Sequence, residues 1–390
     1  MPYATGRLYH DADAHIMETA DWLRDYAAPK FRDRLPDIFT GALAPGEHER
    51  VSDDIALHGD ASYRAEDEAE LMNRKNWRAI GATLKHDRPK ALDLLGFASQ
   101  LVFNTFTNKP MQEAEHGRDA DYAYAMADAH NRGMLDFCEV DRRLLSTAYV
   151  PLMDLERAPQ VAKSLIRDGA NSLMIAAACP KDHSPSHVAL DTVWAQAEEA
   201  GVPIVFHVGS GGTFFDRTYF NNGLPMEKDF HGGAENFRSI DYMAIPNPVM
   251  QTLATMILDG VMDRFPRLKF GVIEQGASWV PSWMRYLDSA YDAFLRHEQR
   301  LQKLSMRPSE YVQRQIRVTP YPTEDVGWIS SQAGDAVCLF SSDYPHVEGG
   351  RNPLGRFEAS LADASETTRD HFFAGNFADM MGPSLQRALN

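Results

Sequence analysis

The stretch HVALDTVWAQAEEAGVPIVFHV, residues 187–208, decides the fold. Residues 187–201 have an amphipathic helical pattern, and residues 202–208 form an apolar run of strand character. Gly201 stands between them, at the place where a left-handed cap ends a helix just ahead of a strand. A helix that turns directly into a buried strand is half of a βαβ unit. If the chain repeats it, the architecture follows.

Strand-like segments recur at 9–16, 101–106, 144–152, 171–177, 202–208, 268–275, 316–321 and 337–345. Helical patterns at 118–140, 155–169, 187–201 and 247–266 precede the third to the sixth, and Gly169 stops the second of these helices as Gly201 stops the third. Eight such segments predict an α/β fold: a distorted (β/α)8 TIM barrel in which residues 1–390 form a single domain. Two excursions break the alternation. Residues 17–100, after the first strand, are expected to be a partly helical insertion, and residues 209–247, after the fifth, a lid-like loop over the site. Both follow strand ends, where the active sites of such barrels lie.

Bulk composition excludes other classes. With 55 acidic against 39 basic residues and a formal charge of -16, the chain lacks the basic surface that nucleic acid requires. No apolar stretch approaches the length of a membrane span. The start MPYATGRLYHDADAH has no secretory apolar core, and Cys138, Cys179 and Cys338 form neither a CxxC pair nor a disulfide framework, so a cytoplasmic location is expected.

The chemistry is expected at four strand ends. In a strand, alternate side chains share a face, so Asp11, Asp13 and His15 of DADAH point one way, offering two metal-liganding types inward. His207 closes VPIVFHV, Glu274 ends LKFGVIEQ before a glycine, and Asp343 ends VCLFSSDYP. Each has a plain structural reading: a polar strand start, a hydrogen-bonded core histidine, an ion pair with Arg285, a turn cap. All four on one rim point instead to a divalent metal such as zinc, manganese or iron, since imidazole and carboxylate together suit those ions. Such an ion can polarise a substrate oxygen or acidify bound water beside a carboxylate base.

With these residues in place, the chain resembles the amidohydrolase superfamily, in the branch that contains the aminocarboxymuconate semialdehyde, γ-resorcylate and 5-carboxyvanillate decarboxylases. The motifs that carry the resemblance are DADAHIMET (11–19), LDFCEVDRRLLSTAYVPLMD (135–154), PIVFHVGSG (203–211), DRFPRLKFGVIEQGASWVPSWMRYLD (263–288), FSSDYPHVEGG (340–350) and HFFAGNFADMMG (371–382), the last containing Asn376. The resemblance implies that Asp13 and His15 are first-strand ligands, that His207 is the fifth-strand ligand, and that Asp343 both binds metal and transfers a proton. Glu274 departs from the pattern by standing where a histidine is usual, which enriches the ligand set in carboxylate and brings manganese and iron forward.

The expected function is hydrolysis or non-oxidative decarboxylation of a small aromatic or cyclic carboxylate. Asp343, Glu274 and His346 are the catalytic candidates, and the number of ions, one or two, stays open. A dinuclear iron or manganese oxygenase is the alternative, drawing extra ligands from Glu18, His346 and Glu348, and a non-catalytic partner subunit is another. His231, Trp279, Arg217 and Tyr344 are candidate substrate contacts, while His10, His183, His187 and His297 are read as surface or loop residues. The resemblance favours a homodimer or larger assembly, with a hetero-oligomer also open.

Overall fold

The computed structural model describes residues 1–39, 43, 46–210, 216–225 and 239–390. Seven strands, β1 (His10–His15), β2 (Ser99–Phe103), β3 (Leu144–Tyr149), β4 (Ser172–Met174), β5 (Ile204–His207), β6 (Phe270–Ile273) and β7 (Ile316–Val318), form one all-parallel sheet in chain order. Every strand residue is buried, as a parallel sheet covered on both faces requires. Between and after the strands lie α1 (Arg88–Leu95), α2 (Asn108–Glu115), α3 (Ala120–Cys138), α4 (Arg157–Arg167), α5 (Asp191–Ala200), α6 (Asn247–Leu258), α7 (Val280–Phe294) and α8 (Asn376–Leu389). Within 17–100 the chain also forms the short helices Trp22–Tyr26, Glu47–Ala56, Ala61–Ala65 and Asp67–Glu70.

The opening stretch folds as its pattern dictates. α5 ends at Gly201, whose φ of 59° is left-handed, and β5 follows within three residues. A side chain at 201 would also place its Cβ 2.6 Å from the Pro383 ring of α8, so packing and backbone both demand glycine. α3 shows how a helix is set by its sequence. The Asp119 carboxylate caps it by accepting from the Tyr122 N–H at 2.9 Å, and Ala123, Met126, Ala127, His130, Met134 and Phe137 make the buried stripe.

His130 lies inside that stripe, near Thr107 Oγ1 at 3.1 Å, and burial pushes its pKa down to about 3. The folded protein therefore keeps this imidazole neutral where the unfolded chain, with an ordinary value of about 6.5, takes up a proton. Its contribution to stability is complete above that value and is lost as pH falls from there toward about 3. We expect His130→Leu to flatten the slope of unfolding free energy between pH 4 and 6 by about 1.4 kcal/mol per pH unit. Urea melts at half-unit steps measure it, and an unchanged slope would refute a neutral buried imidazole.

Two expectations are corrected by the backbone. The segment 337–345 is not a strand with a ladder but makes two isolated parallel bridges, Val318 with Cys338 and Ala14 with Tyr344. Asp343 turns left-handed, with φ 52°, and Pro345 has no N–H, so an extended ladder cannot run through the segment. It still bonds both edges of the sheet: Leu339 N–H to Val318 O (2.9 Å) on one side, and on the other Ala12 N–H to Phe340 O (3.0 Å) and His15 N–H to Tyr344 O (2.7 Å). A segment held by both edges requires the sheet to curl until those edges face one another, which is the geometry of a TIM-like fold.

The second correction concerns β1. Asp11 pairs with Gln100 but Ala14 with Val102, so three steps oppose two and the strand bulges between them. The even alternation expected for Asp11, Asp13 and His15 is broken there. Bulges re-aim side chains beside active sites; here Asp13 and His15 turn to one cluster and Asp11 to Gln100 and Ser342.

Candidate metal centre

At the C-terminal ends of β1, β5 and β6 and in the segment on either side of Pro345, the structure brings together Asp13, His15, His207, Glu274, Asp343 and His346, all buried. Asp13 Oδ1 lies 3.1 Å from His15 Nε2 and 3.4 Å from His207 Nε2. Glu274 Oε2 lies 3.3 Å from His207 Nε2 and 3.8 Å from His15 Nε2, and Asp343 Oδ1 is 3.6 Å from His15 Nε2. His346 Nδ1 is 2.9 Å from Asp343 Oδ1. Asp13, His15, His207 and Glu274 form one set of converging atoms and His15, Glu274, Asp343 and His346 a second, each within 4.8 Å.

The backbone places these groups at some cost. Among the described residues the only side-chain-bearing positions with positive φ are Asn76, Glu274 (54°) and Asp343 (52°). Such residues persist only where their surroundings over-determine them. Glu274 is pinned on both sides, its N–H donating to Thr319 Oγ1 at 2.8 Å and its carbonyl accepting from the Tyr321 hydroxyl at 3.0 Å. Asp343 donates its N–H to Asp13 O at 2.9 Å, which ties two of the cluster's carboxylates together through the backbone.

The imidazoles are oriented by carbonyls. His15 Nδ1 is 2.9 Å from Asn104 O and His207 Nδ1 is 3.1 Å from Val208 O, so each Nδ1 carries the proton and each Nε2 turns a lone pair into the cluster. Burial, with His346 nearby, pushes His15 down to about 4 and keeps it neutral. At His346 the Thr105 hydroxyl donates to Ile16 O at 2.7 Å, so its oxygen accepts from His346 Nε2 at 2.9 Å, and Nδ1 faces Asp343.

These residues fit a divalent cation. His15 Nε2 and Asp343 Oδ1 are buried and make no hydrogen bond of acceptable geometry among the described residues. Lone pairs of neutral imidazoles and of carboxylates face each other in a buried site, and such an arrangement is costly unless a positive ion sits among them.

Other candidates are placed elsewhere. Glu18 does not join the cluster: its carboxylate accepts from the N–H groups of Thr105 (3.0 Å) and Phe106 (3.3 Å) and from the Thr107 hydroxyl (3.2 Å), and burial raises its pKa to about 7. Glu348 is likewise absent from both sets. Tyr344 is wholly buried with its hydroxyl on Ile80 O at 2.7 Å, which removes it from the substrate contacts. Trp279 donates to Gly276 O at 2.8 Å and packs edge-on against Trp283. His10, read as a surface residue, is buried, facing Ser99 Oγ at 2.8 Å and stacked on Phe377. His231 and the side chain of Arg217 lie outside the described residues.

The groups that orient the cluster, namely Asn104, Thr105, Thr319 and Tyr321, escape a motif reading. Their polar atoms act across the fold, and no local spacing betrays them.

The amidohydrolase family model matches residues 11–380, and the chain belongs to that family. It is a metal-dependent enzyme, a hydrolase or carboxy-lyase. None of the curated proteins matches it. Among solved structures it is similar to an amidohydrolase from Mycobacterium avium subsp. paratuberculosis, with TM-score 0.73 and 21% identity over 97% of this chain and 100% of the other. A 5-carboxyvanillate decarboxylase from Novosphingobium aromaticivorans, complexed with manganese and 4-hydroxy-3-methoxy-5-nitrobenzoic acid, gives 0.63 and 17% over 96% of each chain. A dihydroxybenzoic acid decarboxylase from Polaromonas, with manganese and 2-nitroresorcinol, gives 0.62 and 15% over 96% and 97%. These likenesses show the fold. The described residues contain no helix long and apolar enough to cross a membrane.

Proposed function

We propose that the chain is a non-oxidative decarboxylase of a small aromatic carboxylate, built on a distorted (β/α)8 barrel with segment 337–345 as its eighth stave. The observation that carries the reading is the convergence of Asp13, His15, His207, Glu274 and Asp343 at the sheet's C-terminal rim, with His346 behind Asp343. The fold neighbours that bind manganese are decarboxylases of aromatic acids, and a carboxylate-rich donor set suits manganese. A divalent cation held by those five residues would grip the substrate's carboxylate and a neighbouring oxygen and withdraw electron density from the ring.

The protein's own part is proton transfer. Protonated Asp343 gives its proton to the ring carbon that bears the carboxylate, the carbon–carbon bond breaks, carbon dioxide leaves and the ring regains its aromaticity. Asp343 is left ionised and recovers a proton through His346 Nδ1, 2.9 Å away, whose far nitrogen is anchored on Thr105. One ion suffices. A second would need its own ligands about 3.5–4 Å from the first, and of the three extra ligands only His346 joins the cluster among the described residues, while Glu18 and Glu348 do not. The dinuclear oxygenase reading therefore draws no support from the site.

Protein purified without added metal is expected to contain one manganese or zinc per chain by elemental analysis. It should release carbon dioxide from a hydroxylated benzoate equally well with and without dioxygen. Chelation should abolish the release and manganese should restore it. Dependence on dioxygen, or a substoichiometric metal content, would overturn the reading.

A further inference from the structure

Beneath the cluster lies a buried carboxylate that the proposed chemistry does not use. Asp11 is completely buried and accepts four hydrogen bonds. Its Oδ1 receives the N–H groups of Ser342 (2.8 Å) and Asp13 (3.3 Å), and its Oδ2 receives the hydroxyl of Ser342 (2.6 Å) and the amide of Gln100 (2.8 Å). Ser342 immediately precedes Asp343, and Asp13 is itself one of the cluster's carboxylates.

The location explains why such a group is wanted. Between β1 and the segment 337–345 the structure has an isolated bridge in place of a ladder, and β1 bulges at the same level. Backbone pairing alone is thus weakest where Asp343 must be held with a left-handed φ. The Asp11 side chain replaces a strand's carbonyl there, taking up both the N–H and the hydroxyl of Ser342. The Ser342 hydroxyl oxygen in turn accepts the Tyr344 N–H at 3.2 Å, so residues 342 and 344 are gripped on either side of Asp343.

The carboxyl is linked to a guanidinium at one remove. Gln100, which donates to Asp11, accepts at its Oε1 from Arg88 Nε at 3.1 Å, and Arg88 Nη1 donates to His15 O at 2.8 Å and to Gly81 O at 3.2 Å. We propose that Asp11 is a positioning residue for the metal centre, holding Ser342 so that the Asp343 carboxylate is delivered to the cation bound by Asp13, His15, His207 and Glu274. The inference rests on the metal-site reading above but not on the substrate or the reaction.

The test is Mn(II) binding by the full-length protein, read as affinity by titration and as the electron paramagnetic resonance spectrum of the bound ion. D11N is nearly isosteric, but whichever way its amide faces, its NH2 group meets a donor. It is expected to weaken Mn(II) about 10- to 100-fold and to change the spectrum while stoichiometry stays at one ion. S342A, which keeps the Asp11 carboxyl and the backbone N–H of residue 342 in place, is expected to shift both readouts the same way by a smaller factor, and it serves if D11N fails to fold. L165A, which truncates a buried side chain of α4 outside this network, should lower stability while keeping the wild-type spectrum. If affinity simply follows stability across the three variants, or if D11N and S342A bind Mn(II) like the wild type, the positioning role is wrong. A wild type that binds no Mn(II) overturns the metal reading itself, a different result from a wild type that binds and variants that do not differ.

Discussion

Asp343→Asn is expected to lower turnover on an aromatic carboxylate by about a thousandfold or more, while the variant still folds and still takes up metal. The amide preserves shape and can offer its oxygen to the cation, but it cannot carry the proton that the ring carbon needs. Loss of a positioned general acid costs about 10²- to 10⁴-fold, and disturbing a metal ligand's surroundings adds about 10- to 100-fold. Asp13, His15, His207 and Glu274, the other proposed ligands, converge without Asp343, so binding should weaken rather than vanish. Steady-state carbon dioxide release, normalised to metal content measured on the same sample, separates the two effects. Turnover within about tenfold of the wild type at equal metal content would assign proton transfer to another group, with His346 the next to test.

Arg88→Ala is expected to be the most damaging single change for stability away from the ligands, at about 3–5 kcal/mol by guanidinium chloride unfolding. Arg88 is fully buried in α1, the last helix before β2, and its guanidinium reaches Gln100, His15 O and Gly81 O while lying 5.3 Å from the centre of the Tyr344 ring. Truncation leaves a cavity and several acceptors without donors, and it cuts the hydrogen-bond chain that runs through Gln100 to Asp11. Replacement by Met, which refills the volume but not the hydrogen bonds, should recover only part of the loss. Full recovery by Met would mean that packing, not the buried charge, is what matters at this position.

That second effect also shows what could not be read from the chain. Arg88 sits in a charged stretch of sequence where nothing marks it as a core residue, and by its spacing Asp11 reads as one more inward carboxylate of DADAH. Their roles depend on partners 12 and 331 residues away, at Gln100 and Ser342. Glu18 misled for the same reason. It stands three residues beyond His15, but loop N–H groups after β2 claim its carboxylate. The shift of β2 to Ser99–Phe103 has a kindred cause, because Asn104 to Thr107 are used to hold His15, His346 and Glu18 instead of extending the strand.

By itself the sequence determined the alternation of helices and strands, the caps at Gly169 and Gly201, and the strand ends that carry Asp13, His15, His207 and Glu274. Those features are written in nearest-neighbour terms, as side-chain periodicity, backbone sterics at glycine and the position of a polar residue at the end of an apolar run. Only the tertiary structure decided that β1 bulges, that Glu274 and Asp343 turn left-handed, which imidazole nitrogen faces the cluster, and that Asp11 grips Ser342 across the seam. Each of these is the outcome of a competition among hydrogen-bond partners far apart in the chain. Which partner wins is set once the sheet has curled and water has been excluded, so no local pattern can encode it.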